Sequence, residues 1–140
     1  MLARFWWIAL LTALVGCRSP ATALPDTGAR AVAQTFFDAL IQQDWQRAYD
    51  VLHPDSRVGL DFARFAVLAK NYRLHLGFEP TEVRVRWCDE HGSEAVAHVV
   101  LLGHAQGTPH SPYKDAAALR TTPTGWGIVL PSQFGRPHGR

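Results

Sequence analysis

Residues 33–52, AQTFFDALIQQDWQRAYDVL, decide how this chain folds. At 100° per residue, the first ten positions place their alanine, phenylalanine, leucine and isoleucine side chains on one half of a helical wheel. Gln43 would fall inside that apolar half, so we expect the first helix to end there. Asp44 is a typical N-cap for a second, shorter helix, whose apolar stripe includes Tyr49. Pro54 ends this second helix, because its ring disfavours helical dihedral angles in the preceding residue.

The rest of the chain changes from helix to strands. Residues 60–76 have helical spacing, with Asp61 near the start and Gly77 as the C-terminal cap. After Pro80 the apolar spacing falls to two residues, which is the period of a strand. This spacing predicts four strands, at residues 83–88, 95–102, 113–121 and 126–130. The second is apolar on both faces, as in the middle of a sheet. Three helices followed by four antiparallel strands indicate an α+β fold.

Two stretches of the chain follow a known family pattern. One is residues 33–52 with the turn HPDS at 53–56, and the other is GWGIVLP at 125–131. Together they resemble nuclear-transport-factor-2-like domains, and the resemblance covers about residues 28–131. It implies three N-terminal helices packed on a curved, mainly antiparallel four-stranded sheet that forms a cone with an open mouth. Sheets of this family often form dimers, and the apolar, outward-facing candidates Val96, Val100 and Leu102 would permit a homodimer here.

The first seventeen residues have the features of a bacterial lipoprotein signal. After a short basic start, residues 5–14 (FWWIALLTAL) form an apolar run that spans only about half of a ~30 Å hydrocarbon core. The run ends in a tetrapeptide that resembles a lipobox, Leu14-Val15-Gly16-Cys17. The resemblance implies cleavage before Cys17 and acyl chains attached to it, which would anchor the protein stably in a membrane. The alternative is an ordinary secretory signal with an accidental cysteine.

This processing would divide the chain into four parts. Residues 1–16 are the predicted signal peptide, 17–26 a lipidated tether, 27–131 the folded domain and 132–140 a flexible tail. Arg18 follows the cysteine where an inner-membrane retention signal typically has aspartate. The sequence therefore favours the outer membrane, with the domain facing the periplasm. Cys88 remains as the second cysteine, and we expect it to be buried and inert.

Composition and motifs exclude several classes of function. The chain is 47% hydrophobic and 19% charged, which is typical of a globular protein. Its formal net charge of +2 is too small to indicate binding to nucleic acid. Its seven histidines lack the Cys/His spacing of zinc sites. No phosphate-binding glycine loop or nucleophile elbow is present. The sequence predicts no metal, no cofactor and no nucleic-acid partner.

Six side chains are candidates for a pocket inside the cone, namely Trp45, Tyr49, Trp87, His98, Asp115 and Trp126. Trp87 is placed on the buried side of its strand by alternation with Val83 and Val85. His98 lies in the middle of the most apolar strand, where an imidazole needs a partner or stays neutral, and Asp115 is the partner we expect. A histidine satisfied within the core, or one that faces solvent, is the alternative. None of the six matches a catalytic position of enzymes such as ketosteroid isomerase, so no catalytic residue is assigned.

The sequence thus predicts a membrane-anchored envelope lipoprotein with one non-catalytic binding or assembly domain. The domain would take a small hydrophobic ligand in the cone or an envelope protein on its sheet. The alternative is a small isomerase- or hydrolase-type enzyme that uses a base inside the cone, for which a polar group with a shifted pKa is required. A third class, a structural spacer, would have a cone filled by its own side chains.

Overall fold

The computed structural model describes residues 27–136. The predicted signal peptide, lipobox (Leu14, Val15, Gly16 and Cys17), tether and last four tail residues lie outside this range. The described elements are α1 (Ala29–Gln42), α2 (Trp45–Asp50), α3 (Pro54–Arg57), α4 (Phe62–His75), β1 (Glu79–His91), β2 (Glu94–Ala105), β3 (Thr108–Pro109), β4 (Tyr113–Thr122) and β5 (Gly125–Val129). Among them, no helix has both the length and the apolar character that a membrane crossing requires.

The helices begin and end at the residues that their sequence signals indicate. Gln43 closes α1 with a left-handed φ of 60°, and the Asp44 side chain accepts a hydrogen bond from the Arg47 backbone amide at the start of α2. The Asp61 carboxylate caps α4 in the same way. The exception is Pro54, which was expected to end the second helix: α2 already ends at Asp50, and Pro54 instead begins the short helix α3. A proline suits the first turn of a helix, where its missing N–H would have no intrahelical partner.

Antiparallel pairing orders the sheet β1-β2-β4-β5, and the two-residue β3 pairs with β2. The first two strands are longer than predicted, because their hairpin turn contains only Gly92 and Ser93. Gly92 has a φ of 62°, which suits such a tight turn. Beyond the predicted end of the second strand, residues 103–105 continue β2 and residues 108–109 form β3, around a turn with positive φ at Gln106 and Gly107. The mainly antiparallel α+β fold is confirmed.

The two faces of the sheet have different surroundings. On β2, the inward-facing Ala95, Ala97, Val99 and Leu101 are buried beneath the helices, and α1 packs across β1. The alternate residues Val96, His98 and Val100 lie on the outer face. Because β2 is hydrogen-bonded to β1 on one side and β4 on the other, its prediction as a central strand is confirmed.

A β-bulge in β1 reverses which side chains face the core. Val85 lies opposite Val99 on the inner face, whereas Trp87 lies opposite His98 on the outer face and is 52% exposed. Arg86 is the extra residue between them, and it has no partner in the register. The prediction that Trp87 lines the cone is therefore wrong, because one inserted residue shifts the alternation of the strand.

The same shift turns Cys88 toward the core. Cys88 lies opposite Ala97, is half-buried and packs against the core cluster. The core itself extends past residue 131, where the sequence places the end of the domain. Phe134 is only 8% exposed and packs against Phe36 and Phe65. Residues 132–136, part of the predicted tail, thus contribute to the folded domain.

Candidate functional site

A cavity of about 180 Å³ lies on the concave side of the sheet, and we call it the cone cavity. Helices α1 and α4, strands β4 and β5 and residues 131–136 form its walls. Its aromatic lining consists of Phe36, Phe37, Tyr72, Tyr113 and Phe134. The walls also include aliphatic side chains of β5, so most of the lining is apolar.

One carboxylate belongs to the lining that the structure describes, that of Asp115. Asp115 is half-buried on β4, opposite Val99 of β2, so the alternation of the strand turns it toward the helices. Its Oδ2 accepts a hydrogen bond of 2.6 Å from the Tyr72 hydroxyl. Its Oδ1 accepts one of 2.8 Å from the backbone amide of Ala116.

Burial and the neighbouring carboxylate together hold the Tyr72 phenol in its neutral form. Burial is the larger cause, and the charge and hydrogen bond of Asp115 act in the same direction, so the pKa of Tyr72 is well above its ordinary value. The pKa of Tyr113 is also raised, first by partial burial and then by Asp115. Both phenols are therefore neutral hydrogen-bonding groups around an acidic side chain.

The mouth of the cone cavity carries positive charge. His75, at the end of α4, and Arg136, in the C-terminal segment, are exposed residues of the lining. Between residues 27 and 136, no lysine, arginine or histidine nitrogen lies within ion-pair distance of the Asp115 carboxylate. The carboxylate inside the cavity and the basic residues at its rim are thus separate features.

Phe134 closes one side of the cavity. Its ring stacks on Tyr72 with centroids 5.2 Å apart and lies parallel to Phe65 at 6.1 Å. The next residue, Gly135, has a φ of 64°, and a Cβ there would collide with the backbone of Leu68. The C-terminal segment therefore approaches α4 more closely than a residue with a side chain would allow.

Of the six predicted pocket residues, Asp115 alone lines the cone cavity. Trp45 lies in a separate surface groove beside Phe78. The hydroxyl of Tyr49 donates to the Leu60 carbonyl at 2.9 Å, which makes it a packing residue. The indole N–H of Trp126 donates to Thr27 at the start of the domain.

The expected pair of His98 and Asp115 is wrong, because the two side chains lie on opposite faces of the sheet. His98 is opposite Ala116 on the outer face, and its ring stacks on Trp87 with centroids 4.6 Å apart. Its Nε2 is 3.4 Å from a carboxylate oxygen of Asp89. Of the alternatives for His98, the structure therefore supports the one in which its side chain is on the solvent-facing side of the sheet.

The sequence-based prediction of the pocket missed all five of its aromatic lining residues, Phe36, Phe37, Tyr72, Tyr113 and Phe134. Tyr72 had a usable signal, since a hydroxylated aromatic on the apolar side of a helix requires a hydrogen-bond partner. Phe134 was hidden in a stretch of polar residues, glycine and proline. Within residues 27–136, no group of three or more His, Cys, Asp or Glu side chains is arranged to hold a metal ion.

Comparison with known proteins identifies the fold. No family model matches the chain, and no curated protein is significantly similar in sequence. Among solved structures, a protein described as an NTF2-like transpeptidase from Campylobacter jejuni is similar with a TM-score of 0.55 at 10% identity, covering 72% of this chain and 96% of that one. A SEC-C motif containing protein from Rhodopseudomonas palustris is similar with a TM-score of 0.53 at 16% identity, covering 71% and 73%. The domain thus has a nuclear-transport-factor-2-like (NTF2-like) fold, as the sequence resemblance implied.

A third solved structure has a lower score. It is an NTF2-like protein with a cystatin-like fold from Novosphingobium aromaticivorans, with a TM-score of 0.46 at 18% identity, covering 71% of this chain and 74% of that one. At these identities the likeness concerns the fold, and a shared fold hosts many unrelated functions.

Proposed function

We propose that this protein is a lipid-anchored protein of the bacterial envelope whose domain binds a small ligand in the cone cavity. The observation that carries the proposal is the cavity itself, about 180 Å³ of space with aromatic walls. A structural spacer would need no such space. An apolar cavity of about 150 Å³ holds benzene, so this one suits a ligand of roughly that size with one small substituent.

The chemistry of the lining supports binding without catalysis. The lining residues between 27 and 136 include no serine, threonine, cysteine or lysine, so this wall has no aliphatic hydroxyl, thiol or amine nucleophile for covalent catalysis. The carboxylate of Asp115 is already hydrogen-bonded at both oxygens. Such a lining can recognise a ligand by shape and by one polar contact.

The second candidate is a small isomerase- or hydrolase-type enzyme with Asp115 as its base. One observation favours it, namely the neutral Tyr72 hydroxyl 2.6 Å from that carboxylate. Enzymes of this fold combine a carboxylate base with neutral donors to an oxyanion. Here, however, the Tyr72 hydroxyl is directed to the base itself, and a substrate oxyanion would have to displace it. Binding is therefore the proposal that we place first.

The outer face of the sheet supports a second, protein-binding role. Val96 is 39% exposed there, beside Trp87 and the half-buried Val100 and Leu102. Apolar side chains on a surface sheet favour association with another protein. A second copy of this chain or an envelope protein would fit this face.

The location rests on the sequence outside the described residues. The apolar run and the tetrapeptide from Leu14 to Cys17 support lipid attachment, and Arg18 supports the outer membrane. Lipidation is tested by growing expressing bacteria with an alkyne-bearing fatty acid and labelling the purified protein. We expect label on the unchanged chain and on Cys88→Ser, and no label on Cys17→Ser. A label that remains on Cys17→Ser would contradict lipid attachment at this residue.

Ligand binding is tested with benzyl alcohol, a neutral probe of suitable size, on the full-length protein in a mild detergent. We expect saturable binding with a Kd on the order of 1 mM, the affinity of a small fragment. Ala117→Leu should abolish it, because Ala117 is buried in the cavity wall. Ala118→Leu is the matched control on the exposed face of the same strand. Equal binding by the two variants would contradict the cone cavity as the site.

A further inference from the structure

We propose that the ligand of the cone cavity is a small organic cation, an amine or quaternary ammonium group attached to an apolar or aromatic body. This inference rests on the proposed function, because it names the chemical class that the same cavity takes. Two independent features of the lining carry it, a carboxylate without a cationic partner and several aromatic side chains.

The first feature is the state of the Asp115 carboxylate. It is half-buried, and its two partners, the Tyr72 hydroxyl and the Ala116 amide, are neutral. In the described part of the chain, no cationic nitrogen lies within 4 Å of it. An opposite charge stabilises a carboxylate that is partly removed from water, so a bound cation would have a favourable partner here.

The second feature is the aromatic wall around this carboxylate. Tyr72 and Tyr113 lie on two different elements, α4 and β4, and Phe36, Phe37 and Phe134 complete the lining. The face of an aromatic ring carries partial negative charge and attracts cations within about 6 Å, most strongly where water is excluded. Aromatic side chains combined with a carboxylate are a typical arrangement for recognition of an ammonium group, and the rings of Tyr113, Phe36 and Phe37 remain beside Tyr72 and Phe134, which stack on each other.

The basic residues at the rim of the cavity favour a negatively charged ligand. His75 and Arg136 are exposed at the mouth, where they would attract an anion. Solvent and salt screen exposed charges far more than a half-buried one, so the carboxylate inside dominates selection at physiological ionic strength. An anionic ligand held at the rim is nevertheless the competing outcome, and the test includes a probe for it.

The test compares three probes of nearly equal shape, benzylamine, benzyl alcohol and benzoate, at pH 7 on the full-length protein in the same detergent. They carry a positive, zero and negative charge. We expect benzylamine to bind about tenfold more tightly than benzyl alcohol, and benzoate most weakly. Asp115→Asn should reduce the ratio of the two affinities, benzylamine to benzyl alcohol, to about one, since the amide keeps the shape of the side chain and removes its charge. Asp89→Asn, on the outer face, is the matched control and should leave the preference intact.

The outcomes separate this inference from the proposed function. If benzylamine and benzyl alcohol bind equally and Ala117→Leu weakens both, the preference for a cation is refuted, whereas the cavity remains a ligand site. If benzoate binds most tightly, the proposed cation is refuted, and an anionic ligand held by the basic residues of the rim is indicated instead. A preference for benzylamine that survives Asp115→Asn would overturn the role of the carboxylate. No binding of any probe would contradict the proposed function as well. The ranking of the three probes on the unchanged protein decides the inference even if Asp115→Asn fails to fold.

Discussion

Replacing Phe134 with alanine tests whether the C-terminal segment belongs to the core. The side chain is 8% exposed, and its ring packs against the rings of Tyr72 and Phe65. A buried Phe→Ala substitution costs about 3–5 kcal/mol, because it removes apolar transfer energy and leaves a cavity. Here the new space adjoins the cone cavity, whose lining includes exposed side chains, so water can fill part of it. We therefore expect the low end, about 3 kcal/mol of unfolding free energy.

Urea denaturation measures this change, and Trp87→Ala is the control. Trp87 is a larger ring, but it is 52% exposed, and its main contact is the stack on His98. Its loss should cost about 1 kcal/mol. In a thermal melt, Phe134→Ala should lower Tm by roughly 10–15 °C for a domain of this size. Phe134→Ala could instead lower the free energy of unfolding by less than about 1 kcal/mol, and Trp87→Ala could lower it by more. That result would refute both the burial of Phe134 in the core and the outward orientation of Trp87 after the bulge.

Substitutions at three further positions test other parts of the fold. Asp61→Ala should destabilise the protein by about 1 kcal/mol in urea, because the capping hydrogen bond to the Arg64 amide is lost, and Asp61→Asn should restore most of it. The pKa of Tyr72 is raised above that of an unfolded tyrosine, so the stability it contributes is present below about pH 10 and declines above it by up to ~1.4 kcal/mol per pH unit. Tyr72→Phe should flatten this alkaline decline in urea unfolding measured across that range; an unchanged slope would contradict the assigned direction. Gly135→Ala should destabilise by more than about 1 kcal/mol, since a Cβ there meets the Leu68 backbone, and a melt unchanged from wild type would contradict that contact.

The elements that were predicted correctly have signals that are local in the sequence. The helix Ala29–Gln42 shows its apolar face within fourteen residues, and Asp44 and Asp61 cap the helices that follow them. The central position of β2 follows from its apolar residues on both faces. Each of these features depends on the spacing of neighbouring residues, and tertiary packing reinforces rather than overrides it.

The errors concern features that depend on distant parts of the chain. Alternation along β1 is regular in the sequence, and nothing local marks Arg86 as the residue that the pairing with β2 leaves out. The burial of Phe134 depends on α4, some sixty residues earlier in the chain, leaving room for its ring. The prediction that Trp87 lines the pocket failed for the same kind of reason, since a single bulge changes which face of the sheet the following residues of the strand occupy.

The contrast between Asp89 and Asp115 shows how the fold distinguishes two aspartates of the same sheet. Asp89 lies on the outer face, next to His98 and solvent, where a charge needs no special environment. Asp115 lies in an aromatic wall. An apolar residue at this position would bury additional apolar surface, and it would not place a charged group that needs hydrogen-bond partners there. Tyr72 satisfies one oxygen of this carboxylate and supplies no positive charge. Asp115 gives the largely buried Tyr72 hydroxyl the acceptor that it requires, a role that a neutral side chain could also fill, whereas the positively charged ligand that we propose would also use the charge of the carboxylate and the empty space beside it.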